Sequence, residues 1–239
     1  GHYVAEDQAV AELPCPVGTY QPDTGAENCI DVDEGHFVGK SGAKAQTACA
    51  AGTYVTDAKA SACIKARAGY FVPTAKATAE KPCAVGTYQP TSGKASCIPA
   101  EAGYFVPSTK AIEQEPCAYG RYQPKTGQAK CLDAGEGYYV ADQGSTGRSA
   151  CDVGQYSDSP TDTACANSQA GSFVDSESAV KAIDCVAGTY QPKTRQTSCL
   201  LAPAGSYVPK DKAVTHELCA AGTYQPKRGQ KECLDAEEG

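Results

Sequence analysis

The chain has no Met and no Trp, only four Phe, and few Leu and Ile. Most of its 41% hydrophobic fraction is Ala, Val, Tyr and Cys, so a conventional core of large aliphatics is short of material. No apolar run approaches the ~20 residues of a membrane helix. There is no Lys/Arg cluster and the net charge is −7, which argues against nucleic acid as a partner. Zinc needs ligands at C-x-x-C or Cys/His spacing, and neither occurs. There is no Asn-x-Ser/Thr acceptor for N-linked sugar. A signal peptide and a starting Met are also missing, so the sequence reads as a mature product or an excerpt. The three histidines, His2, His36 and His216, follow no common plan and suggest no Ser-His-Asp or Cys-His pairing. The expectation is a protein that is not an enzyme and takes no cofactor and no metal.

What the chain does have is cysteine and period. Length alone, 239 residues, suggests one or two globular domains. The fourteen cysteines change that reading, because their density suits an oxidising, extracellular or cell-surface setting. They stand at Cys15, Cys29, Cys49, Cys63, Cys83, Cys97, Cys117, Cys131, Cys151, Cys165, Cys185, Cys199, Cys219 and Cys233, with gaps alternating 14 and 20 and no exception. Every second cysteine therefore closes one period. Seven modules span 1–34, 35–68, 69–102, 103–136, 137–170, 171–204 and 205–238, and Gly239 opens the place of a further one.

A period of 34 also describes tetratricopeptide repeats, but a helical pattern is absent and Gly and Pro interrupt every module. The strand signals are better. Each module opens with Gly-x-aromatic: Tyr3, Phe37, Phe71, Phe105, Tyr139, Phe173 and Tyr207. Half a module later stands Gly-x-Tyr: Tyr20, Tyr54, Tyr88, Tyr122, Tyr156, Tyr190 and Tyr224. Short runs of aromatic and β-branched residues bounded by Gly and Pro predict strands, and Gln-Pro-x-x-Gly predicts a turn. The half-module offset predicts two similar strand-and-turn halves per module. The aromatics are expected to form a packing ladder along stacked modules, with a sugar-binding platform as the other reading.

A longer period overlies the first. Modules one, four and seven end alike, at Cys29-Ile-Asp31, Cys131-Leu-Asp133 and Cys233-Leu-Asp235, each followed by Glu three places on (Glu34, Glu136, Glu238). Triplication of a three-module segment explains this; so does a turn of about a third of a revolution per module. The acidic ends suggest either a solvated edge or contacts with lysines of a neighbour. The Asp31, Asp33, Glu34 cluster lacks the oxygen-rich loop of an EF-hand.

A piece as short as one module is too small to be held by a core alone and needs a staple. Pairing within modules, Cys15 with Cys29 and so on to Cys219 with Cys233, closes loops of about 15 residues worth roughly 3 kcal/mol each. Pairing across the longer gap, such as Cys29 with Cys49, is the alternative, and sequence order does not choose between them. Thr19, Thr53, Thr87, Thr189 and Thr223 beside the Tyr are candidate O-glycan sites; β and turn preference explains them equally.

The stretch Cys83-x-x-Gly86-x-Tyr88 followed by Gly93-x-x-x-Cys97 resembles the cysteine-rich repeats of ephrin-receptor and tumour-necrosis-factor-receptor type. The likeness runs through all seven modules, and this chain lacks the further C-x-x-C cysteine usual in the family. The resemblance implies an elongated, extracellular, disulfide-ladder β structure and no particular chemistry.

The fold expected is thus a small disulfide-rich, mainly β and coil linear array. The function expected is structural: part of an extracellular filament, surface appendage or stalk that self-associates end to end or laterally and carries glycans. A ligand-binding receptor or adhesin ectodomain is the alternative, with Gln155-Tyr-Ser-Asp-Ser-Pro in module five as its most distinctive surface. A passive spacer is a third.

Overall fold

The computed structural model describes residues 1–237. They contain no helix; the regular structure consists of short antiparallel hairpins, two to each module. His2–Tyr3 pairs with Leu13–Pro14, Thr19–Tyr20 with Ile30–Asp31, His36–Phe37 with Thr47–Ala48, and so onward. Each half-module is one hairpin. Counting its Gly as place 1, places 2 and 3 pair with places 14 and 13.

The halves join through a tight turn. In Ala84-Val85-Gly86-Thr87 the Thr87 N–H donates to Ala84 O at 3.1 Å, and Gly86 holds a φ of 79°. Positive φ at the third turn residue favours Gly. A second demand falls on the same atom. A Cβ on Gly86 would lie 2.2 Å from the carbonyl oxygen of Gly127, in the loop two halves further on. Both the conformation and the close approach exclude a side chain there.

The chain forms two compact units. The first comprises Gly1–Glu115 with Lys125–Lys130. In it, place-1 N–H groups donate to the place-4 carbonyl of the next half: Gly18 to Val38, Gly35 to Val55, Gly52 to Val72, Gly69 to Gln89 and Gly86 to Val106, at 2.8–3.1 Å. The N–H at place 4 donates to the place-9 carbonyl of the next half, as Val72 does to Lys94 at 3.0 Å. The N–H at place 8 reaches back two halves to place 15, as Lys76 does to Cys49 at 2.9 Å. Each half is therefore bonded to the next and to the next but one, and the bonds are backbone to backbone.

The second unit comprises Pro116–Pro124 with the described residues from Cys131 on. It repeats the pattern: Gly120 to Val140, Gly137 to Ser157, Gly154 to Val174, Gly171 to Gln191, Gly188 to Val208 and Gly205 to Gln225, at 2.7–2.9 Å.

Fully buried side chains are small. Place 4 supplies Val38, Val55, Val72, Val106, Val140, Val174 and Val208; place 15 supplies the first cysteine of modules one to six or, in alternate halves, Val32, Ala66, Ala100, Ala134 and Ala202. The aromatics at place 3 are half-buried and flank this line rather than fill it, and Tyr224 in the last module is exposed. The expected ladder is a rim around a narrow centre, because backbone strands this close leave room for Val, Cys and Ala but not for a ring.

Candidate interaction surface

Every cysteine is in a disulfide within its own module: 15–29, 49–63, 83–97, 117–131, 151–165, 185–199 and 219–233, with Cα separations of 5.7–5.8 Å. Each bond joins place 15 of one half to place 12 of the next. At the alternate junctions place 12 carries a polar residue that reaches back in a similar way. Gln46 Oε1 accepts from the Asp33 N–H at 2.8 Å, and Gln46 Nε2 donates to Asp33 Oδ2 at 2.6 Å. Glu80 accepts from the Arg67 N–H at 2.8 Å and from its guanidinium at 2.6 Å. Gln114 accepts from the Glu101 N–H at 2.7 Å and donates to its carboxylate at 3.2 Å. Covalent staples and hydrogen-bonded clamps thus alternate at one structural position. The bond to Glu80 also raises the Arg67 pKa, by hydrogen bond and then by charge.

A second signal in the sequence goes beyond a turn motif. The Gln of Gln-Pro is buried and braces its own loop. Gln89 Nε2 donates to Ser96 O at 2.8 Å while its Oε1 accepts from the Thr91 N–H at 3.3 Å. Gln21, Gln191 and Gln225 do the same. Modules two and five replace it with buried Val55 and Ser157; Ser157 donates to Asp162 Oδ2 at 2.7 Å.

The five threonines suggested as glycan acceptors each donate their hydroxyl to the carbonyl three places earlier, at 2.7–2.9 Å, and Thr19 is buried. The acids disperse among partners. Asp31 lies 3.5 Å from Lys59, Asp33 holds Gln46, and the Glu34 carbonyl faces His36 Nδ1 at 3.1 Å. Asp133 pairs with Arg121 across its own hairpin at 2.8 Å; Asp235 sits opposite Thr223. Glu238 and Gly239 lie outside the described residues. His2 is 3.8 Å from Glu12, and His216 packs edge-on to Tyr190 at 5.2 Å. In module five Gln155 bonds Asn167 at 2.9 Å and Arg195 at 3.4 Å.

Lysines hold strained loops in place. Lys59 and Lys212 take the left-handed conformation at place 8, φ 76° and 61°, where other halves carry Gly. Their ammonium groups face Asp31 and Asp184 two halves back, at 3.5 and 3.3 Å. The Asp184 carboxyl is held below the usual carboxylate range, chiefly by the Ser172 hydroxyl and further by Lys212, against an opposing effect of burial. The Tyr207 phenol is pushed up by donating to Glu217 at 2.7 Å.

What remains on the surface is apolar and shallow. In the second half of six modules the Tyr at place 3 faces an aliphatic across the strand pair: Tyr20 with Ile30, Tyr54 with Ile64, Tyr88 with Ile98, Tyr122 with Leu132, Tyr190 with Leu200, Tyr224 with Leu234. These aliphatics are more than 40% exposed. In the first halves the same place is mostly polar, as with Lys81 and Glu217. A depression of about 290 Å³ lies beside Phe173, Ile183 and Val186.

Two comparisons bear on this arrangement. Residues 171–219, a cysteine-rich module and the start of the next, match the family model described as tyrosine-protein kinase ephrin type A/B receptor-like. No curated protein matches the chain. The seven disulfide-bonded modules in one unbroken register, together with that match, support a cysteine-rich repeat of the ephrin-receptor-like kind.

Proposed function

We propose that this is an extracellular structural repeat protein that forms, or contributes to, a filament, surface appendage or stalk. The seven disulfides and the receptor-like repeat belong to an extracellular setting. The observation that carries the structural reading is one glycine-to-loop contact repeated in both units. Gly18, Gly35, Gly52, Gly69 and Gly86 in the first unit each receive a loop carbonyl from two halves ahead, and so do Gly120, Gly137, Gly154, Gly171 and Gly188, within 2.1–2.7 Å of where a Cβ would stand. Each of these notches takes a loop of the same repeat, so one contact serves every half alike, as suits a structural array rather than a single site. Electron microscopy of unreduced protein tests the reading. Long uniform filaments with an axial repeat set by one or three modules are expected; short rods that never join would overturn it.

A receptor-like or adhesin ectodomain is the second reading, favoured by the family match and by the apolar depression at Phe173 within the matched residues. It expects binding of a protein or glycan that Phe173→Asp weakens, with no self-association.

A further inference from the structure

Charge is spread unevenly along the first unit. Residues 1–34 carry eight acidic side chains and no Lys or Arg, whereas residues 35–68 carry five basic side chains and one acidic, Asp57. The first hairpin's loop presents Val10 exposed, with Glu6 and Asp7 close by in sequence; neither acid makes an ion pair among the described residues. Module two carries the complementary feature. A groove of about 350 Å³ opens beside the Phe37 ring, floored by Val38 and lined by Gly39, Ala43, Ala45 and Thr47. It exists because this module is small where others are large. Gly39 stands where modules three and four have Pro73 and Pro107, and Thr47 faces Phe37 where Lys81 faces Phe71. Lys40 lines the groove, Lys44 stands between two of its lining alanines in sequence, and neither has an ion-pair partner among the described residues.

We propose that the Val10 loop of one copy docks in the Phe37 groove of a second copy, Val10 against the ring and Glu6 and Asp7 against Lys40 and Lys44. This rests on the self-association reading above and names its contact. Knob and groove are different patches, so the contact is heterologous: each copy offers one of each, and the joint propagates unless a rotation closes it. The apolar centre supplies the attraction. The charged rim selects the partner and makes association sensitive to salt. A single exposed Val and four charges make a weak joint, suited to a long assembly in which many such joints act together.

The test is sedimentation of the full chain over a concentration series at low and high salt. Wild type is expected to associate more at higher concentration and less at higher salt. Val10→Asp is expected to weaken association by at least about tenfold. Lys40→Glu with Lys44→Glu, and separately Glu6→Lys with Asp7→Lys, are each expected to abolish it, and mixing these two variants restores it. Circular dichroism checks that each variant is folded. Filaments that form equally well with Val10→Asp and with both charge-reversed chains would overturn the contact while leaving the structural reading standing. A wild type that stays monomeric at every concentration and salt would overturn both.

Discussion

The disulfide junctions and the clamp junctions occupy the same position and differ in chemistry. At Cys83–Cys97 a covalent bond ties place 15 to place 12 of the next half. At Arg67 and Glu80, one half earlier, a side chain makes the tie by accepting a backbone N–H. The clamp then degrades in the second unit: Arg148 donates to Ala134 O and stacks at 3.7 Å over Tyr138, Ala182 has no polar group to offer Gln169, and His216 stands at the place that would meet Pro203, which has no N–H. Yet the glycine-to-carbonyl bonds continue at similar lengths through these junctions. The difference teaches a hierarchy: backbone bonds and glycine notches set the geometry, disulfides secure every second junction, and clamps add to the rest.

The largest effect expected from breaking this order comes at the glycines. Gly86→Ala places a methyl against Gly127 O and should cost on the order of 3–5 kcal/mol, whereas Gly93→Ala, equally left-handed but met only by Lys65 side-chain atoms from 3.5 Å, costs only the left-handed strain of about 1–2 kcal/mol. Denaturant melts of the two variants compare them directly; equal losses would show that the notch is not the determinant. Next comes the staple. Cys83→Ser with Cys97→Ser should cost roughly 3 kcal/mol and leave the Cys83 N–H to Gly69 O bond in place, because Ala66 and Ala100 occupy the equivalent position without a sulfur. Loss of far-ultraviolet signal in that variant would contradict the hierarchy.

The clamp is smaller. Gln46→Ala should cost about 1 kcal/mol, and Ala182→Gln should recover a few tenths to one by supplying Gln169 with an acceptor. Thermal melts in which Gln46→Ala loses nothing and Ala182→Gln gains nothing would remove the clamp from the account. Smallest is a titration. The Asp184 pKa is depressed in the folded state, so its contribution is present above the unfolded value and is lost as pH falls through the lower, folded one. Ser172→Ala should move it back toward the ordinary carboxylate range, as carbon-detected NMR of the carboxyl would register.

Much of this is legible in the sequence because it depends on residues that tolerate no substitute. Gly at each half-module and Cys at unbroken spacing reveal the period, the hairpin unit and the β character. The buried line is harder to read. Aromatics attract attention as packing residues, but hairpins bonded on both sides are too close for rings, so Val72 and Ala100 are fully buried while Phe71 and Tyr88 stay half out. The Gln-Pro motif reads as a turn, since nothing local reveals that Gln89 bends back to brace residue 96. The clamp does have a signal: Gln46, Glu80 and Gln114 recur one module apart, each immediately before a strand, as the second cysteines do in alternate halves. The left-handed lysines have none, because an αL loop normally announces itself with Gly or Asn.

Amide hydrogen exchange on the unreduced chain tests the central claim most directly. If backbone bonds set the geometry, slow exchange recurs once in every half-module, at Gly52, Gly69 and Gly86 and again at Gly154, Gly171 and Gly188, with no regard to whether the junction is stapled or clamped. Protection that recurs only once per module, strong around the cysteines and absent at the junctions between them, would contradict it and make the disulfides the frame.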